Sequence, residues 1–242
     1  IALAEAIYFH GQLLEKTTMD HWKIRLEKAG DYVYKTIDVG FANINYPIAL
    51  CYAMALLGKV LNKDKYLKKA QSTAHEVITY LTENKLIYGE GKPYNKRSPK
   101  GCLSVDLGYN VEESLPALVL YALLMNDNAV LVKTIESLHA HAEFMLPDGG
   151  WDNSFGTRNF KWTYWGSRTS DGCQPAYALL AQKHPVFYKV AYKNTHLLMK
   201  CTHDGLLHGG PHYVSHGISP CIHHTFCHAK ALASILNHKI RE

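Results

Sequence analysis

The stretch GYNVEESLPALVLYALLM, Gly108–Met125, starts polar and from Leu115 onward is apolar without a break. It is too long and too rich in Ala and Leu for a strand, so it reads as a helix buried on every side. Pro116 falls in its first turn, where the missing N–H would have no partner anyway. The same plan recurs on either side. A polar-aromatic tip from Gly40 to Pro47 precedes a predicted helix over 48–61, and Ser170 to Gln174 precedes one over 175–181. Pro47, Pro116 and Pro175 thus each lead an apolar core marked by Ala55, Ala122 and Ala178. After each comes a half-polar helix, predicted over 63–84, 129–146 and 186–201, the first with Tyr66, Leu67, Ala70, Ala74, Val77, Ile78 and Leu81 as its apolar stripe. Helices are also predicted over 1–16 and 20–37. A fourth tip, His223 to Thr225, opens a last helix reaching Asn237, and Leu86 to Asp106 reads as a loop.

All-apolar helices alternating with half-polar ones imply two concentric layers. The expected fold class is all-α: an (α/α) toroid, or an incomplete toroid, built of helical hairpins in a single domain over residues 1–242. A solenoid of helical pairs is the alternative. Nine predicted helices are fewer than a closed ring of six pairs needs, so the ring is open or the chain is a fragment of a longer one.

Composition narrows the function classes. Hydrophobic content of 47% and charged content of 19% belong to a globular protein with a full core. The formal charge is +5 and the pI about 8.7. The lysine-rich runs Lys63–Lys69 and Lys92–Lys100 are mixed or broken by Pro and Gly, so nucleic acid is not an expected partner. No window of eighteen apolar residues predicts a membrane span. The chain opens on Ile1 without a basic-then-apolar leader and reads as a mature or trimmed product. Six cysteines form no CxxC pair, and Cys51 and Cys227 fall in helical patterns as buried thiols. Oligomeric state is not legible.

The candidate chemistry gathers in WDNSFGTRNFKWTYWGSRTSD, Trp151–Asp171, which has no helical period. Trp151, Trp162, Trp165 and Tyr164 can stack on sugar faces beside Asn153, while Arg158 and Arg168 can grip a carboxylate; together they point to an acidic glycan. A loop tucked over the bundle with its aromatics as plugs is the plainer reading. In a toroid the tips would add Asn43, Asn45, Tyr109, Asn110, Glu113, Gln174, His223 and His224 to the same mouth, where helix N-termini favour anions. Each has a structural alternative: Asn110 and Glu113 as a capping pair, Asn43 and Asn45 as loop ties, Arg158 as a partner of Asp152. Nine of the fifteen histidines lie from His196 to His238. His224 and His228, with His212 or His216, could hold zinc, but no HExxH is present and the expected set contains no metal or cofactor.

GYNVEESLPAL, the Trp151–Gly172 loop and HGGPHYVSHG…CIHHTFCHAKALA together resemble the α/α-toroid polysaccharide lyases of the heparinase II/III-like and alginate lyase type, over most of Phe41–Leu236. The resemblance implies an acidic polysaccharide substrate, a periplasmic or secreted location, Asn110 as the group neutralising the uronate carboxylate and Tyr164 as the proton carrier. Many such lyases follow that Asn with His; Val111 stands here instead, which leaves His212, His223 or His224 for the base. β-Elimination needs the carboxylate charge offset before the neighbouring C–H becomes acidic, a task for Asn110, Arg158 or a protonated Glu113. Arg158 and Arg168 would favour the Tyr164 phenolate. Two rivals remain: a toroid glycoside hydrolase pairing Asp106, Asp152 or Asp171 with Glu113, and a non-catalytic module binding glycan on Trp151, Trp162 and Trp165.

Overall fold

The structure is a computed structural model that describes residues 1–91, 96–152, 155–156, 173–220 and 222–238; for His223 and His224 it describes the backbone alone. It is mostly helical: α1 Ala2–His10, α2 Lys16–Thr36, α3 Asn45–Leu61, α4 Asp64–Val77, a single turn α5 Leu107–Tyr109, α6 Leu115–Met125, α7 Asn128–Ala142, α8 Gln174–Ala178, α9 Pro185–Lys200 and α10 Ile222–Asn237. The short strands β1 Thr202–His203 and β2 Leu206–Leu207 form an antiparallel hairpin.

The predicted alternation of fully buried and half-exposed helices appears in the burial of the side chains. In α3 the residues Ile48, Cys51, Met54, Ala55 and Leu56 have no exposed surface, and in α6 Leu115, Val119 and Tyr121 have none. Both helices stop the same way. Asn62 (φ 53) and Asn126 (φ 54) take the left-handed conformation that Asn tolerates, and their N–H groups close on the carbonyls of Gly58 and Ala122. The outer helices α4 and α7 begin two residues later, and Asp127 caps α7 by accepting the Val130 N–H at 3.2 Å. Gly58 lets α3 and α4 approach closely, since a Cβ there would lie 2.3 Å from Leu67 Cδ2.

Contacts run in order from α3 to α6 to α8 to α10, with α4, α7 and α9 each packed against its own partner, α3, α6 and α8. The first helix joins this series at both ends. Glu5 of α1 is buried and accepts hydrogen bonds from Tyr52 of α3 at 2.8 Å and Ser234 of α10 at 3.0 Å. Among the described residues no helix is long and apolar enough to cross a membrane.

Several boundaries differ from expectation. The first helix ends at His10 and gives way to a 3-10 turn, Gly11–Leu13. The fourth ends at Val77, because the chain doubles back so that Leu81 bridges Ile87. The stretch expected as plain loop carries further bridges, Tyr88 to Val105 and Asp106 to Gly156. Downstream, Gly149 (φ +93) lies against α9 with no room for a Cβ beside Lys193 O, and its carbonyl accepts from buried Asn194 at 2.8 Å.

Candidate active site

Segment 85–91 holds the tip that borders a polar cleft. Gly89 O accepts from Ile44 N at 3.1 Å, the buried Glu90 carboxylate accepts from Asn45 N at 2.8 Å, and Gly91 N donates to Asn43 Oδ1 at 3.2 Å. Gly89 (φ 107) and Gly91 (φ 77) permit the backbone turns that aim Glu90 inward. The tip before α3 is thereby fixed over a cleft of about 400 Å³, lined by Val33, Ile37, Asn43, Asn45, Tyr46, Tyr109 and Glu113 among others. Four residues expected at the mouth, Asn43, Asn45, Tyr109 and Glu113, do meet there.

Glu113 reaches this cleft from a π-helical turn, Asn110–Ser114, between α5 and α6. Such turns break the regular side-chain spacing and are frequent at functional sites. Glu113 Oε2 accepts from Asn45 Nδ2 at 2.6 Å, which leaves the second amide hydrogen of Asn45 uncommitted to that carboxylate. No Lys or Arg is among the described residues lining the cleft. Glu113 also borders a second, more enclosed cavity of about 190 Å³ between α1, α3, α6, α8 and α10, with Glu5, Tyr52, Glu112 and Lys230 in its wall.

Asn110 faces the other way. It is fully buried, and its amide donates to Ile87 O at 2.9 Å and to His141 Nε2 at 3.1 Å. Both N–H groups are therefore engaged inside the fold, and a uronate carboxylate has no donor to receive from it; the expected neutralising role does not fit this geometry. His141 donates from Nδ1 to Ser137 O at 2.8 Å, which fixes Nε2 as the acceptor. Burial lowers its pKa from 6.5 to about 4, so it is neutral at physiological pH.

Two further expected contacts are core residues. Trp151 is wholly buried and stacks on Tyr177, ring centres 5.8 Å apart, with no face left for a sugar. Gln174, equally buried, donates to Asn194 Oδ1 at 2.6 Å. Asp106 is buried too and caps its turn by accepting from Tyr109 N at 3.2 Å, which disfavours it as a hydrolase carboxylate. His212 packs edge-on to Tyr213 and His216 in the loop before α10 and is not among the residues lining the cleft. Asn153, Arg158, Trp162, Tyr164, Trp165, Arg168 and Asp171 lie outside the described residues, as do the side chains of His223 and His224. The zinc alternative rests on His224; among the described residues no group of three or more His, Cys, Asp or Glu could hold a metal.

The family model of the ulvan lyase N-terminal domain matches residues 1–242. The chain belongs to that family. As an ulvan lyase N-terminal domain it is 53% identical over 240 residues to a broad-specificity ulvan lyase of Formosa agariphila. That match covers 98% of this chain and 38% of the relative, so the domain spans well under half the length of the protein it resembles. No solved structure matches the chain. Sequence reasoning missed Glu90 and His141. A carboxylate between two glycines, Gly89-Glu90-Gly91, was the available signal for the first; nothing in the local sequence marks His141 off from the other histidines.

Proposed function

We propose that this domain is the α/α-toroid part of an exported polysaccharide lyase that cleaves a uronic-acid-containing glycan of the ulvan type by β-elimination, without a metal or cofactor. The toroid reading draws support from the contact order α3, α6, α8, α10 and from Glu5, which bonds to both α3 and α10. The observation that carries the function is the cleft in which Asn43, Asn45, Tyr109 and Glu113 meet, in a chain of the ulvan lyase family.

In this reading Asn45 takes over from Asn110. Glu113 holds one amide hydrogen, orienting the other toward the substrate carboxylate, where it offsets the charge that grows as the C5 proton leaves. The Tyr164 phenolate, favoured by Arg158 and Arg168, accepts that proton; the C4–O bond breaks, a C4=C5 double bond forms, and the phenol returns its proton to the leaving oxygen. Trp162 and Trp165 hold neighbouring sugars by stacking. Tyr109 is a second phenol for the same task, because it lines the cleft beside Glu113.

The full-length protein is given ulvan, and ultraviolet absorbance of the unsaturated product is followed. Tyr164→Phe is expected to abolish the signal with the fold intact. Loss in Tyr109→Phe and near-normal turnover in Tyr164→Phe would move the proton transfer to Tyr109. New reducing ends without the chromophore would mean hydrolysis, and retention of polymer without any turnover would mean a binding module.

A further inference from the structure

Helix α9 is an outer helix with an unusual exposed half. Toward the core it presents Phe187, Val190, Leu197 and Leu198, all buried. On the opposite side Tyr188 and Tyr192, one helical turn apart, are 59% and 53% exposed, with nearly parallel rings 5.8 Å between centres. His196 continues the row, its ring 4.4 Å from that of Tyr192. At 100° per residue, Lys189, Lys193 and Lys200 fall in a second row alongside the aromatic one, all three exposed. Pro185–Lys200 contains no Asp or Glu to neutralise them.

Exposed aromatic rings beside exposed ammonium groups suit a ligand with apolar ring faces and repeated negative charge. We propose that this stripe is a secondary binding site for an acidic polysaccharide, separate from the cleft, which holds the polymer to the domain. The proposal rests on the reading of the domain as acting on such a glycan. Its physical effect is to raise the local concentration of cleavable chain, which matters for long polymers and not for short oligosaccharides.

The test uses the full-length protein with Tyr188→Ala/Tyr192→Ala and, separately, Lys189→Gln/Lys193→Gln. Retardation in native gels containing ulvan and KM on ulvan are measured, with kcat on a short uronate oligosaccharide as the control. Both variants are expected to lose most of the retardation and to raise KM on polymer by about tenfold, with kcat on the oligosaccharide unchanged. Wild-type retardation in both variants would overturn the proposal. So would equal loss of retardation in gels containing DNA, which would mark a general polyanion surface. A fall in melting temperature with unchanged retardation would also overturn it, showing that another part of the longer chain covers the stripe. If the wild type is retarded but never cleaves while the variants run free, the stripe stands and the lyase reading falls.

Discussion

The hairpins α3–α4 and α6–α7 are built to one plan and end differently. Each has a buried inner helix, a left-handed Asn at its end, and an outer helix starting two residues on. At the other end, α3 begins directly at Asn45, so that side chain lines the cleft. In the second hairpin a π-helical turn intervenes; it sends Asn110 into the core and brings Glu113 to the cleft. Two asparagines at matching tips thus have opposite duties. A repeat in sequence sets the path of the backbone, while one irregular turn decides which side chain faces the cleft.

The sharpest way to break this contrast is to remove each amide in turn. Asn45→Ala should lower kcat/KM on ulvan by roughly 10²–10³, as losing one transition-state donor does, with a smaller loss of stability than at Asn110 because Glu113 borders the cleft, where water can replace the lost bond. Asn110→Ala should instead cost about 1–3 kcal/mol of stability by stranding Ile87 O and His141 Nε2, read by urea denaturation. Catalytic loss at Asn110 with unchanged stability would reverse the assignment. The second hairpin should also be the pH-sensitive one. The folded-state pKa of His141 lies near 4, below its ordinary 6.5. Between those values the unfolded chain binds a proton that the folded imidazole does not, so stability should fall by on the order of 3 kcal/mol as pH drops through that window. Above pH 6.5 this contribution is level, and His141→Gln should flatten the slope.

Smaller effects test what the hairpins share. Gly58→Ala should destabilise by about 1–3 kcal/mol, because the new methyl group meets Leu67. Its counterpart Ala122→Gly should cost only about 0.5–1 kcal/mol through backbone entropy, both read as melting-temperature shifts. Asn62→Ala and Asn126→Ala should each cost about 1 kcal/mol. Unequal losses there would show that the two turns are not equivalent.

The all-α class and the hairpin repeat were legible because Pro47, Pro116 and Pro175 recur before apolar runs whose composition leaves burial as the only outcome. Boundaries were less so: Lys63–Asn84 keeps a helical stripe to the end, yet the pairing of Leu81 with Ile87 pulls its last turns away. Half of the cleft was legible from its tips, since Asn43, Asn45, Tyr109 and Glu113 all stand just ahead of inner-helix cores. Trp151 and Gln174 were misplaced at the mouth, because they have the composition of a glycan platform and the surroundings of a core. Glu90 supports the cleft from a stretch read as plain loop, through contacts that cross 45 residues of sequence.

Glu5 has a consequence for biosynthesis. Its bond to Ser234 joins residues 229 apart, so a nascent chain leaving the ribosome carries a buried-to-be carboxylate with one of its ligands still unmade. Local hairpins such as α3–α4 can form early, but the bond between α1 and α10 waits until Ser234 has been translated. Cotranslational collapse should therefore yield an unlatched intermediate, and shortening α10 before Ser234 should leave the domain in that state.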